Sequence, residues 1–241
     1  MSVALAVGVF FVALAYSLVG HGGASGYLAL LAFTSVDQKT ASTTALGLNL
    51  VVAGVTFFTF RRAKHFSWPL VWPFLVGSVP FAFLGGSLKM ESRVQSWILA
   101  ATLTYAAVAL VLPVKAGTEE TRPPHRGIAI ATGAGIGLLS GIVGVGGGIF
   151  LSPVMILAKW AKPHVVASAS AVFIFANSFA GLLARPPRHL ADAAAYWPLI
   201  LAGLVGAVAG SYVGAFKTSG PVMRRALGAV LLVAVWKLVV K

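Results

Sequence analysis

Of 241 residues, 59% are hydrophobic and only 10% charged, with a mean hydropathy of +0.93; a soluble domain carries roughly 25% charged residues, so a soluble monomer is excluded and lipid is the solvent. Eighteen Lys and Arg face five Asp and Glu, a formal net charge of +13, but the cations sit in short loops between apolar runs with no interleaved basic–aromatic patch, which fits anionic lipid headgroups and argues against nucleic acid. There is no cysteine, which excludes disulfides, thiolate metal sites and a cysteine nucleophile.

The first apolar run, 3–20, has no basic n-region and no A-x-A site, so it reads as a retained span rather than a signal peptide. A glycine cluster, Gly20-His21-Gly22-Gly23, interrupts it, and a short apolar run follows at 24–34. Eleven residues are too few to cross a bilayer, which predicts a half-helix. Further spans are expected at 41–60, 68–88 and 94–113. The longest polar link, 115–126, holds Glu119, Glu120, Pro123 and Pro124. After it come a span at 127–145, a second glycine cluster, a second half-helix at 148–158, and spans at 166–184, 194–216 and 222–240. The expected fold is therefore all-α: a polytopic membrane protein of about eight helices. It is read as two homologous halves, 1–114 and 127–241, joined by the linker 115–126.

The duplication is visible in the residues. Trp68-Pro69-Leu70 recurs as Trp197-Pro198-Leu199, and at the same offset Gly77 and Gly85 meet Gly206 and Gly214. Val19-Gly20-His21-Gly22-Gly23 is similar to Val143-Gly144-Val145-Gly146-Gly147. Internal duplication is the usual construction of secondary transporters, and paired glycine-interrupted segments are the best pointer to their binding site. Whether the halves are parallel or inverted stays open. So does orientation: an eight-span reading places ten cations on the side of the termini and eight on the other, too even for the positive-inside rule, with a slight lean towards cytoplasmic termini. Monomer and homodimer are both open. A plasma-membrane location, of the bacterial inner-membrane kind, is expected.

The candidate site follows from these breaks. Gly144, Gly146, Gly147 and Gly148 in one half, and Gly20, Gly22 and Gly23 in the other, make continuous helix costly, at about 1 kcal/mol per glycine. Unwound backbone inside a bilayer is tolerated where it lines a cavity or is buried in protein. A half-helix restarting there presents free N–H groups and a positive dipole end, suited to a small anion. The bland alternative is close helix packing through small residues. Ser25, Ser42, Thr43 and Asn49 in the first half, and Ser168, Ser170 and Asn177 in the second, add uncharged donors; each alone could equally serve interhelical hydrogen bonding. His21 is an ionisable group inside the first break and a candidate for proton coupling, although its counterpart is Val145. No arginine falls inside an apolar run, so the cradle is expected to be neutral and to prefer a singly charged form such as hydrogen sulfite. The remaining histidines have no metal-ligand spacing, no carboxylate pair lies in a span, and neither a cofactor nor catalysis is expected. A membrane-embedded enzyme would want ionisable groups that this chain lacks beyond His21.

The run Gly144-Val145-Gly146-Gly147-Gly148 leading to Pro153, then Ala169-Ser170 and Asn177, resembles the TauE/SafE sulfite exporter family, as do the repeat, the length and the basic loops. The first half departs: His21 and Ala24 interrupt the glycines, and Ala29 stands where Pro153 would fall. The resemblance implies export of sulfite or a small organosulfonate such as sulfoacetate, driven by a proton gradient. The residues themselves point only to a small anion, leaving another carboxylate or oxyanion, or a passive channel, as alternatives.

Overall fold

The computed structural model describes residues 3–88, 97, 101, 121–223, 225–226 and 228–229. Most of the expected spans at 94–113 and 222–240 lie outside the described residues. Helix α1 (Val3–Leu18) and the short α2 (Ala24–Leu31) precede α3 (Gln38–Arg62) and α4 (Trp68–Ser87). The second part repeats the order with α5 (Arg126–Val143), the short α6 (Gly148–Leu157), α7 (Pro163–Leu183), α8 (Pro187–Ala194) and α9 (Pro198–Tyr212), which widens into a π-helical turn at Val213–Lys217. No strand occurs among the described residues, and five helices are long and apolar enough to cross a membrane. At about 1.5 Å per residue, the 25 residues of α3 exceed the roughly 30 Å hydrocarbon thickness. The all-α polytopic fold expected from composition is the fold observed.

The packing is matched across the chain. Helix α4 packs most extensively on α5, and α1 on α9. Both seams are built from small residues. Gly77, Gly133, Gly137 and Gly141 press on main-chain atoms across the α4–α5 seam; Gly206, Gly210 and Gly214 press on the carbonyls of Phe10, Leu14 and Leu18. The repeated pairs Gly77/Gly206 and Gly85/Gly214 thus carry the same duty. Water drives nothing together inside lipid, so close van der Waals approach through glycine is what binds these helices. Both seams are parallel, since contacts advance in the same direction along each partner.

The central pair is different. Ser42 meets Arg185, Leu46 meets Gly181, Asn49 meets Ser178 and Gly54 meets Phe175, so α3 and α7 run antiparallel. The short helices fold back: Gly26 of α2 lies against Val12 of α1, Gly8 against Leu30, and Tyr16 Oη bonds Ser25 Oγ at 2.8 Å. Each glycine break is therefore a hairpin tip, and the half-helix behind it returns alongside its own span.

This return revises the loop assignment. The ends of α3 and α7 opposite Ser42 gather Arg61, Arg62, Lys64, Lys159, Lys162 and Lys217, with Arg122 and Arg126 at the start of α5. They are tied together by the Arg122 N–H donating to the Lys159 carbonyl at 3.0 Å and by the rings of His65 and His164, 4.7 Å apart. The Ser42 end holds only Lys39, Arg185 and Arg188 among the described cations. Among the described cations the division is uneven, and Lys39 and Arg185, which the reading as eight simple spans placed on opposite faces, share one end. The start of α1, parallel to α9 and α3, lies at the end that is cation-poor among the described residues.

The run 194–216 also differs from expectation. It is preceded by α8, eight residues of alternating character that the loop reading missed, and α8 packs on α3.

Candidate functional site

Both tips arrive at the middle of the bundle. Five glycines take left-handed backbone, Gly20 (φ 86°), Gly23 (φ 100°), Gly144 (φ 77°), Gly146 (φ 77°) and Gly147 (φ 81°), a region costly for other residues. They break the helices and start new ones: Gly23 and Gly147 are the N-caps of α2 and α6, and neither receives a side-chain cap. The first N–H groups of both half-helices are thus left for another acceptor.

The two tips share neighbours. A Cβ at Gly22 would strike Asn49 and Ile174, and a Cβ at Gly146 would meet Asn49 Nδ2, Ile174 and Ser178 Oγ, each at 2.8 Å for Gly146. Asn49 sits halfway along α3, fully buried. Its amide donates to Val145 O at 3.4 Å and to Ser178 Oγ at 3.3 Å, while its Oδ1 is unpartnered. His21 reaches across the interface: Nε2 lies 3.1 Å from Gly148 O and Nδ1 3.2 Å from Val19 O. Tyr27 Oη donates to Gly22 O at 2.7 Å, holding the first tip closed. A cavity of about 10 Å³ separates the tips, lined by Tyr16, His21, Gly22, Gly23, Ala24, Ser25, Val145, Ile149 and Ile174. That is about one water's worth of space, so the tips are close-packed in this state.

The other expected site residues divide. Asn177 is buried with both amide atoms unpartnered, and Ser168 Oγ is buried and unpartnered too. A buried amide left without partners costs about 1–3 kcal/mol, and polar ligands are what such groups answer to. Ser170 instead bonds Ser152 Oγ at 2.6 Å, tying α6 to α7. Thr43 donates back to Lys39 O at 2.8 Å within its own helix and faces an apolar pocket of about 210 Å³ under α8, away from the tips. Gly20 packs on Ala167 and Gly147 on Phe173, while Gly148 packs on Ile174. Gly144 and Ser42 lie together at the cation-poor end of the tips.

There the structure brings in a residue that sequence reasoning left among the loop cations. Arg185 follows α7, is half-buried, and donates from Nη2 to Ser42 Oγ at 2.9 Å. Its Nη2 is 3.2 Å from where a Cβ of Gly144 would stand, and its Nε is buried without a partner. Burial pulls its pKa below the ordinary arginine value, yet an arginine stays charged. A cation therefore lies beside two of the expected site residues, Ser42 and Gly144. The sign that could have found it is its position two residues past the end of the second central span. No group of three or more metal-ligating side chains occurs among the described residues.

Comparison with known proteins identifies the family. The family model described as "Sulfite exporter TauE/SafE" matches residues 5–238. The chain is similar to the "Probable membrane transporter protein y4hK" of Sinorhizobium fredii (strain NBRC 101917 / NGR234), at 33% identity over 249 residues, covering 98% of each chain. No solved structure matches. The chain is a multi-pass membrane protein that belongs to the TauE/SafE sulfite exporter family, a family of transporters rather than enzymes.

Proposed function

We propose that this transporter exports a small sulfur oxyanion, sulfite or an organosulfonate such as sulfoacetate, bound between the two hairpin tips. One observation carries the reading: two uncapped half-helix N-termini converge on Asn49 halfway through the bundle, and the facing helix α7 carries buried polar atoms of Ser168 and Asn177 with no partner. Each N-terminus offers roughly half a positive charge, and the glycines let an anion reach the backbone. The two halves, 1–114 and 127–241, act as inverted repeats, because the equivalent helices α3 and α7 point in opposite directions. Inverted repeats with broken helices at mid-membrane are the usual frame for alternating access. The cation-rich face is cytoplasmic by the positive-inside rule, which turns the Ser42 end outward. His21 couples transport to protons: both its ring nitrogens face carbonyl oxygens, and only the doubly protonated ring donates to both.

The test is flux in proteoliposomes over a panel of sulfite, sulfoacetate, acetate and chloride, with and without a pH gradient. Sulfite or sulfonate flux that rises with the gradient is expected. Transport of acetate or chloride in preference to both sulfur anions would overturn the substrate assignment.

A further inference from the structure

Arg185 is an anomaly of the bundle. Among the described residues no carboxylate pairs with it; its hydrogen bond is to the neutral Ser42 Oγ, and its Nε is buried and unpartnered. Removing a charge from water without pairing it is expensive. The carbonyl end of α5, just before Gly144, offers about half a negative charge, which offsets part of this cost and leaves the rest. The guanidinium also sits against a main chain from which a Cβ is excluded, since any side chain at Gly144 would collide with Ser42 Oγ. Two residues of chain, about 7 Å at most, separate Gly144 from Gly146 at the tips.

We propose that Arg185, presented by Ser42 beside Gly144, is a direct anion contact that selects the oxyanion at the outward mouth of the site. The assignment rests on the anion-transport reading above and adds a specific residue to it. The anion displaces the Ser42 hydroxyl as acceptor and takes the planar N–H fork, including Nε–H, whose geometry matches two oxygens of a sulfonate or sulfite group. Because the cation lies off centre, the anion's path is asymmetric: it is held by dipoles and amides at the tips and by a full charge at the Ser42 end. Ser42 acts as a positioning residue, keeping the fork aimed at the tips.

The experiment uses the full chain, purified in detergent, with sulfite, sulfate and methanesulfonate as probes at constant ionic strength. Thermal unfolding against probe concentration gives an apparent affinity, because a ligand that binds the folded state raises its melting temperature. The wild type is expected to be stabilised by at least one probe. Arg185→Gln should weaken that affinity at least about tenfold, as for a lost charge-assisted hydrogen bond, while Arg62→Gln, the same charge change at an exposed cytoplasmic position, should not. If Arg185→Gln does not fold, Arg185→Lys carries the test: it keeps the charge and loses the fork, so an affinity at least about threefold weaker is expected. Unchanged affinity in the folded variant overturns the contact, as does a wild type stabilised by none of the three anions. Flux is read separately in proteoliposomes. Stabilisation without flux would remove the transport reading and leave the Arg185 contact; flux with unchanged KM in Arg185→Gln would do the reverse.

Discussion

The Nε2 of His21 lies 3.1 Å from the carbonyl oxygen of Gly148, joining the first glycine break to the first residue of the second half-helix. Its Nδ1 lies 3.2 Å from Val19 O. A neutral imidazole donates through one nitrogen only, so loss of the proton sets a lone pair against one of these carbonyls and loosens that contact. The bridge between the halves is thus stronger when protonated. His21→Ala is expected to lose about 1–3 kcal/mol of stability and to retain downhill sulfite flux that no longer responds to an imposed pH gradient. Parallel measurement of melting temperature and gradient-driven flux separates the two roles. A variant that melts lower but keeps full gradient dependence would make His21 a structural bridge alone.

Gly147 combines two constraints. Its φ of 81° disfavours other residues, and a Cβ there would stand 2.9 Å from Phe173 Cε1 and 3.1 Å from Ser140 Cβ. Left-handed backbone costs a non-glycine residue about 1–2 kcal/mol. Gly147→Leu is expected to abolish flux while the protein still inserts and purifies, because the side chain fills the ground where an anion would meet the α6 N-terminus. Flux from a correctly folded Gly147→Leu protein equal to wild type would end the idea that this backbone cradles the ligand.

Much of this architecture is legible in the residues. The glycine clusters at 20–23 and 144–148 mark the breaks because glycine is costly in helix and cheap at positive φ. The short runs after them become half-helices because nothing longer is apolar there. The direction of return is not legible. Whether α2 continues outward or folds back on α1 is decided by packing, with Gly26 against Val12 and Gly8 against Leu30, and no count of apolar runs contains that information. From the missed return came the near-even loop charges and the open question of parallel against inverted halves. Helix α8 was missed for another reason: eight residues with Arg188 and Asp192 among them read as loop until packed on α3. Arg185 was missed because span ends normally carry solvated cations. Ser170 and Thr43 show how little a hydroxyl reveals in sequence, since it looks the same in a span whether it serves a ligand, another helix, or its own backbone.

The α4–α5 seam offers a paired test within one helix. A Cβ at Gly137 would run into the Ser78 carbonyl, and the backbone would have to move; at Gly135, two residues away, nothing lies within 4 Å. Gly137→Ala is expected to destabilise by about 1–3 kcal/mol, as overpacking does. Gly135→Ala is expected to be neutral or stabilising by up to about 1 kcal/mol through helix propensity. Thermal unfolding of the two variants in the same detergent checks this. Equal melting temperatures would mean that glycine at the seam serves no close approach.

The last prediction concerns pH at the cation-rich face. His65 Nε2–H donates to Ala215 O (3.2 Å) and His164 Nε2–H to Thr218 O (2.8 Å), so the two rings, 4.7 Å apart, clamp the loop after α3 and the start of α7 onto the π-helical end of α9. His65 has its pKa lowered from the ordinary 6.5, chiefly by burial, with a further contribution from the nearby His164. The unfolded chain therefore takes up this proton before the folded one as pH falls. The stability gained by burying the neutral His65 ring is complete above about pH 6.5 and is lost as pH falls through the lower folded value, because the unfolded state then binds more protons. The melting temperature in detergent should thus drop between pH 7.5 and pH 5.5, and His65→Gln, which keeps a donor but does not titrate, should flatten part of that drop. A His65→Gln profile with the full wild-type slope would assign the pH sensitivity to other groups.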